Sequence, residues 1–138
     1  MGEAGCGNIA KLVINLISLT SNTICAEAFV LGVKAGIDAQ TLWDITTSGT
    51  ANYWYLQQFP QTVLKGYFEP GFKLGLGFKD LGLALQLGRE YGVPLFVGAA
   101  VEQSFQEAKA AGFENKSVDS VALYLEKLVG VEVRSSKK

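Results

Sequence analysis

Lys11 and Asn15 stand four residues apart in the stretch "GEAGCGNIAKLVIN", just after the glycines Gly5 and Gly7. On a helix that spacing puts the amine and the amide on one face. Ser18 and Asn22 continue the same face at intervals of three and four. A lysine near the start of a helix sits in the positive field of the macrodipole. Its apolar neighbours Ile9, Leu12, Val13 and Ile14 add desolvation wherever another domain covers the face. Both influences favour the neutral amine, which makes a lysine a usable general acid/base near neutral pH. Asn15 offers a donor and an acceptor to a substrate oxygen. The glycines bring bare backbone N–H groups to the helix start, where those groups and the dipole favour a carboxylate. One helix end thus combines a base, an amide and an anion seat. The plainer alternative for the same four residues is a solvent-exposed edge, since lysines are mostly exposed.

Gly5 and Gly7 also belong to a G-x-G-x-x-A run, which elsewhere cradles a dinucleotide pyrophosphate. That fingerprint needs a β-strand before its first glycine and an acidic residue about twenty positions on. Only four residues precede Gly5. No strand is expected to feed this turn, and the glycines are expected to serve something else.

At 138 residues, 49% of them apolar, the chain is long enough for one domain with a hydrophobic core. Its formal net charge of −1 lacks the clustered basic surface that a nucleic-acid partner requires. The terminal "SSKK" reads as a solvated tail. Histidine is absent, which excludes histidine triads and histidine metal sites. Cys6 and Cys25 are too few and too far apart for a zinc site, so no metal is expected. On one helix the two thiols lie about 28 Å apart, beyond disulfide reach. They read as reduced cysteines of a cytoplasmic protein. Residues 9–36 are mostly apolar but carry Lys11, Asn15, Ser18, Asn22 and Glu27 at intervals. A membrane span tolerates few charges, and a signal peptide places its basic residues before a compact apolar core. A long helix buried on most sides is the expectation, with no membrane partner.

The elements that must position Lys11 and Asn15 are all helical. The first helix begins near Gly7 or Asn8 and ends by Gly36, a left-handed terminator. Asp38 is a fitting N-cap for a second helix through "AQTLWDITT". A third segment covers "NYWYLQQF" up to Pro60, and Pro70-Gly71 make a turn. A fourth helix runs from about Lys73 to Tyr91, with Leu74, Phe78, Leu81 and Leu85 as one apolar stripe. Its interior glycines Gly75, Gly77, Gly82 and Gly88 imply close packing or a molecule lying against that surface. A fifth helix spans Phe96 to Ala111, and a sixth runs from an N-cap at Ser117 to Val129. Residues 1–138 form a single all-α domain led by one long helix.

The opening stretch resembles the catalytic segment of the β-hydroxyacid dehydrogenases, the group that includes 3-hydroxyisobutyrate dehydrogenase and tartronate semialdehyde reductase. Gly2, Gly5, Gly7, Lys11 and Asn15 match its G-x-x-G-x-G-x-x-x-K-x-x-x-N pattern. "GFKLGLGFKDLGLAL" resembles the family's K-D-L-x-L-A segment, and "AEAFVLGVKAGID" the end of its long helix. Ile14 departs from the pattern, standing where many members carry a second asparagine.

The resemblance implies an all-helical domain of the 6-phosphogluconate dehydrogenase C-terminal-like type, normally preceded by a Rossmann domain that is absent from this chain. It implies Lys11 as general acid/base, with Gly5, Gly7 and Asn15 at the substrate. It places Phe72, Lys79 and Asp80 at the cofactor, NAD or NADP, or around the catalytic lysine. The substrate it implies is a small hydroxy acid or semialdehyde, and the helical domain would build a homodimer or higher homo-oligomer. By itself the domain is expected to be inactive and to bind the cofactor very weakly. Two alternatives stand beside this: a related reductase of glyoxylate, succinic semialdehyde or an imine, and a non-enzymatic helical oligomerisation module.

Overall fold

The computed structural model describes residues 5–137, and among them there is no strand. Six α-helices follow in order: α1 (Cys6–Lys34), α2 (Ala39–Thr47), α3 (Trp54–Gln58), α4 (Leu74–Glu90), α5 (Phe96–Ala108) and α6 (Ser120–Val129). Two short 3₁₀ turns, Phe59–Gln61 and Val63–Lys65, fill the path from α3 to α4. A single π turn, Lys109–Phe113, closes α5.

The other five helices all pack against α1. It buries Leu19, Asn22, Thr23, Cys25, Ala26, Phe29 and Val30. It is nonetheless not buried on most sides, contrary to the sequence expectation. Ile14, Ile17, Ile24 and Leu31 form a stripe that is 53–70% exposed. The reason is geometric: the partners gather on one side, and the opposite apolar side has no cover among the described residues. By length and composition alone α1 would suffice to cross a membrane.

Asp38 caps α2 as expected, its carboxylate accepting the Thr41 backbone N–H at 2.9 Å. The sixth helix is different. It starts at Ser120 rather than after Ser117. Long-range bonds take residues 116–118 away from the helix: Leu74 N–H donates to the Lys116 carbonyl at 2.8 Å, Ser117 N–H to Phe68 at 3.0 Å and Val118 N–H to Phe72 at 2.9 Å. These bonds clamp the loop before α4 to the loop before α6. The tail is exposed at Ser136 and Lys137, as expected, yet it is tied to the fold. Ser135 N–H donates to the Leu64 carbonyl at 2.9 Å, and the Ser136 hydroxyl to Asp38 at 3.1 Å. Lys137 sits 3.5 Å from Asp44.

The glycines of α4 separate by what they touch. A Cβ on Gly77 would lie 2.8 Å from Phe105 and 3.2 Å from Val118, both in the core. A Cβ on Gly82 would meet only Glu102 at 3.6 Å, an ordinary contact. Overpacking a core costs about 1–3 kcal/mol, against a helix-propensity gain of about 1 kcal/mol. Gly77→Ala is therefore expected to lower the urea midpoint, while Gly82→Ala raises it. Equal shifts for the two would contradict the close approach at Gly77.

Candidate active site

The packing of α1 on α4 brings Lys11, Asn15 and Asp80 together. Asn15 Nδ2 donates to Asp80 Oδ2 at 2.7 Å. Lys11 Nζ lies 3.8 Å from the same oxygen. Asp80 is 8% exposed, whereas the Lys11 side chain is 64% exposed. A carboxylate that accepts from an amide and faces an ammonium is a charge-assisted hub. It fixes the Asn15 amide across 65 residues of sequence and lies within ion-pair distance of the exposed Lys11 ammonium. An asparagine amide has two N–H donors and one carbonyl acceptor. Asp80 engages one donor, which leaves a donor and an acceptor for another molecule.

The face continues inward. Asn22 is buried and donates to the Val118 carbonyl at 3.1 Å. Asn15 and Asn22 thus face α4 and the loop before α6, so the stripe is not a solvent edge. Lys11 alone reaches outward. The desolvation that a working amine needs is not provided by this chain's own helices.

Gly5 is the N-cap of α1, with φ at +106°. That left-handed value favours glycine. Among the described residues no side-chain hydrogen bond caps the first turn. Gly7 is exposed in the same turn. Gly2 lies outside the described residues. Lys79 is exposed on α4 beside Asp80 and makes no ion pair among the described residues. Phe72 is half-buried against the core and lines a cavity that none of Lys11, Asn15 and Asp80 lines.

Both cysteines are free. Cys25 donates to the Tyr53 hydroxyl at 3.0 Å, and burial pushes its thiol up, away from the reactive thiolate. The residue that the sequence did not single out is Asp119, a buried acid at the start of α6. "VDS" looks like an ordinary helix start, and only the fold reveals that this aspartate is enclosed.

Comparison with known proteins bears on this arrangement. A family model described as "NAD-binding of NADP-dependent 3-hydroxyisobutyrate dehydrogenase" matches residues 5–125. The chain is 34% identical over 134 residues to 2-(hydroxymethyl)glutarate dehydrogenase of Eubacterium barkeri, covering 96% of this chain and 44% of that protein. The fold superposes with a TM-score of 0.82 on 3-hydroxyisobutyrate dehydrogenase from Salmonella typhimurium, at 26% identity, over 86% of this chain and 42% of that one. It superposes with a TM-score of 0.81 on the Mycobacterium tuberculosis 3-hydroxyisobutyrate dehydrogenase with L-serine, at 31% identity, over 88% and 44%. The chain spans less than half the length of these relatives. With the matched region covering the whole Lys11–Asn15–Asp80 cluster, the chain belongs to the 3-hydroxyisobutyrate dehydrogenase family.

Proposed function

We propose that this chain is the helical catalytic half of an NAD(P)-dependent dehydrogenase of small 3-hydroxy acids, with Lys11 as the general acid/base. The observation that carries it is the convergence of Lys11 and Asn15 on the buried Asp80 carboxylate. In this reading the fold is of the 6-phosphogluconate dehydrogenase C-terminal type. A Rossmann domain holds most of NAD or NADP and covers the exposed Lys11. The L-serine of the tuberculosis relative is itself a 3-hydroxy acid, which supports that substrate class.

During oxidation Lys11 Nζ takes the substrate hydroxyl proton, and in reduction it returns that proton to the aldehyde oxygen. When bound, the nicotinamide supplies the hydride acceptor or donor. Asn15 orients the substrate through its remaining donor and acceptor. Asp80 fixes the Asn15 amide and faces the ammonium that Lys11 becomes. The first turn at Gly5 and Gly7 would take the substrate carboxylate on its backbone N–H groups. Lys79 would hold a polar group of the cofactor. The uncovered stripe of Ile14, Ile17, Ile24 and Leu31 seats a second copy, giving a homodimer or larger homo-oligomer.

The test is Asp80→Asn in the full-length enzyme, assayed by nicotinamide absorbance with short 3-hydroxy acids. A hydrogen bond to a charged group is worth about 1.5–3 kcal/mol, so kcat is expected to fall about 10- to 100-fold. The KM for cofactor should change little. An Asp80→Asn enzyme with unaltered kcat would remove the positioning role. Failure of the unmutated enzyme to turn over any short 3-hydroxy acid would remove the substrate class.

A further inference from the structure

Asp119 has no part in the chemistry above. It is 8% exposed. Its Oδ1 is shielded and has no hydrogen-bond partner among the described residues, while its carboxylate receives a long bond, 3.4 Å to Oδ2, from the Ser117 hydroxyl and a contact from its own backbone N–H. Its side chain does not cap α6. Burial pushes its carboxyl above the usual carboxylate range, with the Ser117 bond acting in the opposite sense. A carboxylate enclosed in this way lowers stability unless a cation joins it.

Asp119 lines a cavity of about 250 Å³, together with Trp54, Tyr55, Tyr67, Phe72 and Glu69. No lysine or arginine is among the lining residues. Trp54 is 67% and Tyr67 53% exposed, so the cavity is open at that rim. The Trp54 and Tyr55 rings meet edge to face at 5.0 Å. Aromatic faces attract cations, and the attraction grows when the cation is desolvated. A calcium or magnesium ion would need about six oxygen ligands. The described residues hold no group of three acidic, histidine or cysteine side chains placed for a metal. Sites for drug-sized ligands begin near about 300 Å³, so this cavity suits a smaller group.

We propose that this cavity binds a small organic ammonium, with Asp119 as its counter-ion and the aromatic rings as its walls. The site is separate from the Lys11–Asn15–Asp80 cluster, so it stands whether or not the catalytic proposal holds. The buried acid is retained at a cost in stability because the ligand neutralises it.

The experiment is an NMR titration of the 138-residue chain with n-butylammonium and, as its neutral isostere, with 1-butanol. Butylammonium should give saturable shifts at the amides of Ser117 to Asp119 and at the Trp54 indole N–H. A roughly millimolar dissociation constant is expected for so few atoms, at least about tenfold tighter than for 1-butanol. Asp119→Asn should weaken butylammonium at least about tenfold and leave 1-butanol unchanged. The variant should fold well. With its carboxyl raised in the folded state, the penalty of Asp119 is absent at acid pH and sets in as pH rises through the folded value. Asp119→Asn should thus raise the thermal midpoint near neutral pH and not in acid. Equal affinity for amine and alcohol, absence of saturation, or undiminished amine binding by Asp119→Asn would each overturn the proposal. The amine–alcohol comparison on the unmutated chain decides alone if the variant does not fold.

Discussion

Lys11→Ala in the full-length enzyme is expected to lower kcat by at least about 10²-fold, the usual contribution of a positioned general acid/base. Cofactor affinity should stay nearly constant, because most of the cofactor seat is assigned to the Rossmann domain. Stability should also stay nearly constant. Removing a cation from the positive end of a helix gains about 0.3–1 kcal/mol. Losing the ion pair to Asp80 costs a similar amount, since a pair with one exposed partner contributes about 0–1 kcal/mol. The Lys11 side chain is 64% exposed and 3.8 Å from Asp80, which puts it in that class. A large loss of rate without a loss of fold separates a catalytic lysine from a structural one. Steady-state kinetics beside thermal unfolding of the same preparation measures both.

The largest effect on stability is expected from Arg134→Ala. Glu126 is buried, its side chain 2% exposed. Both its oxygens accept from Arg134, at 2.6 and 3.0 Å, and Oε1 also takes the Val133 N–H at 3.0 Å. The guanidinium lies 5.4 Å from the Phe68 ring centroid and donates to the Val63 carbonyl at 3.2 Å. Removing Arg134 leaves Glu126 as an uncompensated buried charge, at a cost of about 3–5 kcal/mol. That is a third or more of the roughly 5–15 kcal/mol that holds a domain together. Urea unfolding should show the loss, with hydrogen exchange quickening at Val133 and Ser135. Replacing both partners, as Glu126→Leu with Arg134→Met, should cost much less than Arg134→Ala alone. An Arg134→Ala loss below about 1 kcal/mol would place this pair with ordinary surface ion pairs.

Helix identity and most helix ends were legible in the sequence because they rest on local signals. Asp38 precedes its helix by one residue, and the Leu74–Leu81 spacing repeats within one element. What depended on distant partners was not legible. Ser117 looked like an N-cap, but backbone bonds to the 68–74 loop displace the helix start to Ser120. The anchoring of the exposed tail was hidden because nothing in "SSKK" points to Leu64 or Asp38. The exposure of α1 was hidden for a different reason. A helix apolar nearly all round does not disclose which side its own chain will cover. At the site, Lys11 and Asn15 were read from their spacing of four. Their joint contact to Asp80 came from no spacing rule, and only the resemblance had set Asp80 near the lysine. No spacing rule linked Phe72 to Asp119 either, yet both line one cavity. Asp119 gave no sign of burial because aspartate at a helix start is ordinary.

The most direct measurement is the single-turnover rate of hydride transfer in Lys11→Arg, followed by nicotinamide absorbance in the full-length enzyme with saturating cofactor and substrate. Arginine keeps the positive charge opposite Asp80 but does not release its proton near neutral pH. If Lys11 carries the proton, Lys11→Arg should fail as Lys11→Ala does, by at least about 10²-fold. A Lys11→Arg enzyme that transfers hydride at the unmutated rate would show that charge alone is required at this position, and Lys11 would no longer be the general acid/base.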